Sequence, residues 1–427
     1  MFLIYDLIFL LFIILYLPLF LFKGKAHKGF RQRLGYFSKD LNESFKNKNN
    51  IWVHAVSVGE VTVVAGLLNF LRKLYPKDRI IISTVTPTGN KLAKSIRSPD
   101  DLIIYFPLDL SFIVKKFVKK IKPKIFISAE TEIWPNLFLA LYKENVPVIL
   151  VNGRVSDASF RGYRIVKPLI RNILRGVKLF CMQTQMDAQR IKELGANIET
   201  IVVAGNMKFD TTSPSSKYSK ENLGFLDSDL LLIAGSTHNG EEEIILKVYK
   251  NLSKEFMNLK LLIAPRHIER CRFVESILIR EGIKFVRFSK GLNKLAQANV
   301  VILDTIGDLN SLYALADVIF MGGSLIKKGG HNIIEPALFG KPVIFGPYMF
   351  NFKEISRIFL KRNAAIKINN PEDLETNIRD LLLHKESREK IGKIAASIVE
   401  ENRGATEKTA RIIEESIFKK NAQRIFL

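Results

Sequence analysis

The sequence predicts an α/β protein made of two parallel-sheet halves, and three observations carry that expectation. Short apolar, β-branched runs alternate with amphipathic stretches of period near 3.6 from about residue 50 to beyond residue 360. A polar, Ser/Thr-rich stretch at 211–220 halts the alternation midway. A chain of 427 residues is too long for one hydrophobic core, whereas two domains of roughly 180 residues fit it.

The first element is apolar. Residues 2–22 contain a single charge, Asp6, and a lone Pro18, and the run matches the roughly 20 residues a helix needs to cross a bilayer. No basic residue precedes it, and it ends in Phe22-Lys-Gly-Lys25 rather than at a small-residue cleavage site. Residues 1–22 are therefore expected to be a retained anchor, not a cleaved leader. Lys23, Lys25, Lys28, Arg31 and Arg33 follow the run, so the positive-inside rule puts the body on the cytoplasmic face. The other reading of the same run is a helix lying flat at the interface or packed into the body.

The body then divides in two. Strands are expected at 51–55, 79–84, 102–106, 124–129, 146–151 and 178–183 in a first domain, 23–210. After the linker, 211–220, further strands are expected at 230–234, 259–264, 284–286, 300–303, 318–321, 342–345 and 364–368 in a second domain, 221–405. Both halves read as Rossmann-like, and ligands of such sheets bind beyond the carboxyl ends of the strands, so the chemistry is expected in a cleft between the halves.

Composition narrows the partners. Lys and Arg number 65 against 42 Asp and Glu, a net charge of +23 that favours an anionic partner: nucleic acid, anionic lipid or a phosphorylated substrate. Cys181 and Cys271 lie far apart outside any Cys/His cluster, and the six His show no ligand spacing. Neither a disulfide framework nor a metal site is expected.

The loops after the strands carry the candidate chemistry. In Val53-His-Ala-Val-Ser-Val-Gly-Glu60 a small-residue turn opens a helix, and Glu60 is placed to take a proton from a hydroxyl. A carboxylate there also satisfies free helix N–H groups, so both readings stay open. Ser128-Ala-Glu-Thr-Glu-Ile-Trp-Pro-Asn136 sets Glu130 and Glu132 just past a strand, where charge is unusual without a function. Lys208, in Gly205-Asn-Met-Lys-Phe-Asp210, is either a cation meeting a leaving phosphate or a solvated linker lysine. In the second half, the backbone N–H groups of Ala234-Gly-Ser-Thr-His-Asn-Gly-Glu241 are expected to hold an anion. Ala264-Pro-Arg-His267 ends a strand with Arg266 as a forked cation. Met321-Gly-Gly-Ser-Leu-Ile-Lys-Lys-Gly-Gly-His-Asn-Ile-Ile-Glu-Pro336 brackets a basic loop with two Gly pairs, and Asn332 is expected to open a helix bearing Glu335. The whole string points to a nucleotide-sugar site.

Taken together these segments resemble the Kdo transferase family, glycosyltransferases of the GT-B fold that move 3-deoxy-D-manno-octulosonic acid (Kdo) from CMP-Kdo to the lipid A precursor lipid IVA. The resemblance spans roughly residues 1–410 and rests on HAVSVGE (54–60), STVTPTG (83–89), AETEIWPN (129–136), NGRVS (152–156), GNMKFD (205–210), PRH (265–267) and GGHNIIEP (329–336). It implies Glu60 as the general base of an inverting transfer, with Glu130 and Lys208 stabilising the transition state. It also implies CMP binding by Pro265, Arg266, Ile306, Gly307, Asp308, Asn332, Ile333, Ile334 and Glu335, with Asp308 standing where the family often has Glu. The donor leaves as CMP, which cations can stabilise without a bridging metal, so no cofactor is implied. The implied setting is the cytoplasmic face of the inner membrane, and the fold's habit implies a last helix, 406–427, returning to the first domain. The basic series Arg154, Arg161, Arg164, Lys167, Arg171 and Arg175 suits a phosphorylated lipid acceptor or anionic headgroups, or is a solvated helix face. The alternatives are a GT-B enzyme using a UDP-sugar on a lipid-linked acceptor, and a membrane-tethered basic protein that binds nucleic acid. The second is disfavoured because the chain lacks interleaved aromatic and basic residues.

Overall fold

The structure, a computed structural model, describes residues 5–11, 13–15, 29–46, 48–212 and 217–419. The chain forms two compact units, Met1–Asp210 with Arg403–Leu427, and Thr211–Asn402.

The first unit is built on seven parallel strands: β1 (Asn50–His54), β2 (Arg79–Thr84), β3 (Leu102–Tyr105), β4 (Pro123–Ala129), β5 (Val148–Gly153), β6 (Val177–Met182) and β7 (Ile201–Val203). Their spatial order is β3-β2-β1-β4-β5-β6-β7, so the order reverses between β1 and β4. Helices cover both faces. Trp52, Ile81, Ile104, Phe126, Leu150 and Phe180 pack into one core layer, and Ile51, Val53, Ile82, Ile127, Val151 and Cys181 into the other. Burial on both sides is why these strands read as continuous apolar runs rather than alternating ones. The sequence reading lacks β7, whose three residues leave no periodicity to detect.

The second unit repeats the plan with β8 (Leu230–Thr237), β9 (Leu259–Pro265), β10 (Phe285–Arg287), β11 (Val300–Ile302), β12 (Val318–Met321), β13 (Val343–Phe345) and β14 (Ile366–Lys367). The order is β10-β11-β9-β8-β12-β13-β14, with its switch point between β8 and β12. Leu232, Ala234, Leu261, Ile263, Phe320 and Ile344 belong to its buried core.

Two boundaries differ from expectation. Of the supposed linker, 211–220, Tyr218 and Lys220 are fastened to the second unit: the Tyr218 hydroxyl donates to Asp308 at 2.7 Å, and Lys220 pairs with Asp317 at 3.4 Å. The return to the first unit comes at residue 403 rather than 406. Its cause is Asp210, whose two carboxylate oxygens accept the backbone N–H groups of Gly404 and Thr406, both at 2.6 Å. These bonds start the helix Ala405–Ile413, which contributes Ala405, Ala410 and Ile413 to the same core layer as Val64 and Leu67 of the helix Val58–Leu74.

Of the expected anchor, residues 1–4, 12 and 16–22 lie outside the described residues, and among those described no helix is long and apolar enough to cross a membrane. Residues 5–11 and 13–15 are helical. The lone charge of the run, Asp6, accepts from the Ser111 backbone N–H at 3.0 Å and from the Asn136 amide at 2.6 Å, while Tyr5 donates to Asp109 at 3.0 Å. Phe9 and Ile13 rest against the first unit's core, whereas Leu7, Ile8, Leu11, Ile14 and Leu15 are exposed.

Candidate active site

The three residues singled out in the first unit come together at the β1/β4 switch point. The turn after β1 leads into the helix Val58–Leu74, whose first turn carries Glu60. One Glu60 oxygen accepts the Val56 backbone N–H and the other accepts from Ser57 Oγ at 3.2 Å. Thr86 steadies this turn from the neighbouring strand end. Its side chain caps the helix Pro87–Ile96 and donates to the Val56 carbonyl at 3.3 Å, which explains the STVTPTG segment. Burial lifts the Glu60 carboxyl to about 7, and the negative charges of Glu130 and Glu132 push the same way.

Glu130 directly follows β4 with a positive φ of 55°, a left-handed conformation costly for a side chain of this kind. Its N–H donates to the Val151 carbonyl at 2.8 Å. Thr131 Oγ1 accepts the Arg154 N–H at 3.0 Å and donates to the Arg154 carbonyl, so the loop is tied to the chain beyond β5. Glu130 pairs with Lys208 at 3.3 Å, both partners being partly exposed. Lys208 is presented by its own segment: Asn152 Oδ1 accepts the Met207 N–H at 3.0 Å, and Met207 and Phe209 are buried on either side of it. The NGRVS and GNMKFD segments thus form one support, and Lys208 is an ion-paired residue rather than a solvated linker lysine. Glu132, also beside Glu60, has its carboxyl pushed up by burial and then by Glu130. His54, first residue of the HAVSVGE segment, is a core group: buried, stacked on Phe106 at 3.7 Å, and held neutral by desolvation that lowers it to about 3.

In the second unit an internal carboxylate takes one amide of the loop expected to hold an anion, that of His238, and three of the Gly-rich loop. Glu241 is fully buried, and its carboxylate accepts four backbone N–H groups: His238 at 3.0 Å, Gly323 at 2.7 Å, Ser324 at 3.0 Å and Leu325 at 3.0 Å. A carboxylate from one loop thereby staples the Gly-rich loop of another, and those N–H groups are not available to a phosphate. Gly322 explains part of the glycine pattern, since a Cβ there would lie 2.3 Å from the Ser236 carbonyl oxygen.

Arg266 is exposed just beyond β9, and its N–H donates to the Thr237 carbonyl at 2.9 Å. It lies close enough to Glu335 to oppose, electrostatically, the burial that raises that carboxyl. Asn332 accepts the Ile334 N–H and donates to Glu335, both at 3.1 Å. The helix that follows is a single turn, Ile334–Ala337, which is too short for the anion-binding helix start the sequence suggested. Ile333 and Ile334 are fully buried, so only their backbone can reach a ligand. The segment 306–308 makes other contacts. Ile306 is exposed, Gly307 has φ 97°, and Asp308 accepts from Tyr218 and, at 2.6 Å, from Thr305. The sequence reading missed Glu241 as a structural anion and missed the contact of His238 with His331, 93 residues apart; only strand order brings those loops together.

Residues 241–397 match the glycosyl transferases group 1 family. A glycosyltransferase from Rickettsia africae, 18% identical, shares the fold with a TM-score of 0.56 over 87% of this chain and 99% of its own. The molecule is a glycosyltransferase built from two parallel-sheet α/β units. Residues 28–211 match the family described as 3-deoxy-D-manno-octulosonic-acid transferase (kdotransferase). The 3-deoxy-D-manno-octulosonic acid transferase of Haemophilus influenzae is 36% identical over 395 residues, covering 90% of this chain and 91% of its own. That of Chlamydophila psittaci is 32% identical over 92% of this chain and 91% of its own. The chain belongs to the Kdo transferase family, the glycosyltransferases that place Kdo in lipopolysaccharide.

Proposed function

We propose that this enzyme transfers Kdo from CMP-Kdo to the phosphorylated lipid A precursor, lipid IVA, by a single inverting displacement with Glu60 as general base. The observation that carries the reading is the Glu60 carboxyl, held at about 7 beside the Glu130–Lys208 pair at a strand-order switch point. A base with this value is poised to take a proton near neutral pH. The acceptor hydroxyl gives its proton to Glu60 as its oxygen forms the bond to the anomeric carbon, and the bond from that carbon to the CMP phosphate oxygen breaks with its electron pair going to CMP. Lys208, set against Glu130, supplies positive charge for the anions gathered there, and Arg266 is suited to the CMP phosphate.

For the acceptor and the membrane, support comes from the helices Asp157–Ile165 and Lys167–Leu174. Arg161, Arg164, Lys167, Arg171 and Arg175 are all exposed there, around an Ile165 that is 83% exposed. This combination suits a phosphorylated lipid at the cytoplasmic face of the inner membrane, and the exposed Leu and Ile of the amino-terminal helix add to it. The full chain should co-sediment with vesicles containing phosphatidylglycerol at low salt and do so less when Arg161, Arg164 and Arg171 are replaced by Ser; equal binding by the variant would remove this surface from the reading.

The Glu60→Gln variant tests the central step. Transfer should fall by about 100-fold or more, while CMP binding, a property of the other unit, stays at the wild-type value. Near-normal turnover would remove Glu60 from the role of base.

A further inference from the structure

A second cluster of titratable groups stands over the switch point of the second sheet. His238 follows β8, and His331 ends the Gly-rich loop after β12. Their rings are parallel to within 5°, with centroids 5.2 Å apart, and Nε2 of one lies 2.9 Å from Nε2 of the other. At that separation only one hydrogen fits between the two nitrogens, so one ring donates and the other accepts. The pair is packed from below by Gly323, where a Cβ would come within 3.1 Å of His331 and 3.4 Å of His238.

The charged groups around the pair are mostly cations. Arg266 and Arg270 face it from the loop after β9, Lys328 from its own Gly-rich loop, and the His267 ring lies 5.9 Å from that of His238. The nearby carboxylates are engaged: Glu241 by four backbone N–H groups, Glu242 by Arg270 at 2.9 Å, and Glu335 by Asn332 at 3.1 Å. Burial first, and these cations after it, hold both rings neutral, His238 at about 4 and His331 at about 3. An anion placed among Arg266, Lys328 and the two rings reverses the balance that keeps the second proton off.

We infer that His238 and His331 are positioning residues for the donor's phosphate: the anion parts the Nε2 contact, the pair takes up one proton from solvent, and each ring turns an N–H toward it. The inference rests on the cytidine-nucleotide reading of this unit. It makes donor affinity fall as pH rises, because binding consumes a proton, by up to about tenfold per pH unit where the linkage is complete.

The test is calorimetric titration of the full chain with CMP from pH 6 to 8.5, in buffers of different ionisation enthalpy, for wild type, His331→Gln and His238→Gln. CMP's own ionisation is common to all three proteins and, when cations draw its phosphate toward the dianion, releases protons. Glu335, raised by burial beside Arg266, contributes equally in all three proteins, so the difference in uptake between wild type and a variant is the property of the rings. Wild type should take up more protons than either variant and should lose affinity more steeply with rising pH. Equal uptake and parallel pH profiles would overturn the proposal and leave CMP binding standing. A wild type that binds no CMP would instead overturn the donor reading, and this proposal with it. If one variant fails to fold, the other and the wild-type uptake decide the matter.

Discussion

Glu60 serves as a turn-binding group and as the proposed base with one carboxylate. Its oxygens satisfy the Val56 N–H and Ser57 Oγ, the plain helix-start role, while burial and the neighbouring glutamates supply the lifted value that a base needs. The sign of the consequence follows from linkage. The folded value, about 7, lies above the ordinary 4.5, so the stabilisation attached to the protonated form is complete below pH 4.5 and is lost as pH rises through about 7. Glu60→Gln, neutral at every pH, should therefore melt close to wild type at pH 4.5 and above it at pH 8. A variant that melts below wild type at pH 8 would show that the carboxylate stabilises the turn more than its burial costs. Residue identity made Glu60, Glu130 and Lys208 legible as candidates. What the sequence withheld was the pairing of Glu130 with Lys208, because it depends on Asn152, a residue of another strand end, holding the Met207 N–H.

Among elements, the loops at the carboxyl ends of the strands do the positioning, and they do it with buried polar groups rather than with glycine alone. Glu241 is the clearest case. Its side chain takes up the His238 amide of the loop after β8 and three amides of the Gly-rich loop after β12, and so joins the two loops. Glu241→Gln keeps the volume but loses the charge and one accepting oxygen, so the second unit should lose about 2–4 kcal/mol in denaturant unfolding, with faster hydrogen exchange at Gly323 and Leu325. A loss under about 0.5 kcal/mol would mean that the loop holds its shape without the staple. Strand positions were readable because both sheet faces are buried, which keeps Ile80–Ile82 and Leu231–Ile233 apolar throughout. Strand ends and the fate of amides were not, because a Glu at a helix start looks the same whether it caps its own helix or crosses to another loop. Asp6 shows the same limit: in the sequence it interrupts an apolar run, and in the structure it is hydrogen-bonded to Ser111 and Asn136.

At the scale of the whole molecule, two sheets with similar plans carry different chemistry at their switch points. The first gathers carboxylates and a lysine, and the second gathers histidines and arginines. That division agrees with an acceptor activated by one unit and an anionic donor held by the other. The net charge of +23, legible from composition alone, favours anionic partners such as those proposed. The carboxyl-terminal return was expected from the fold, but what fixes it was not, since Asp210 lies 194 residues from the Gly404 amide it accepts. The measurement that bears most directly on this account is transfer from freshly generated CMP-Kdo to tetraacylated, bisphosphorylated lipid IVA, read by mass spectrometry of the lipid. Wild type should add a mass of one or more Kdo units, and Glu60→Gln should lose that gain. A folded wild-type enzyme that binds CMP and leaves the lipid mass unchanged would contradict the proposed transfer.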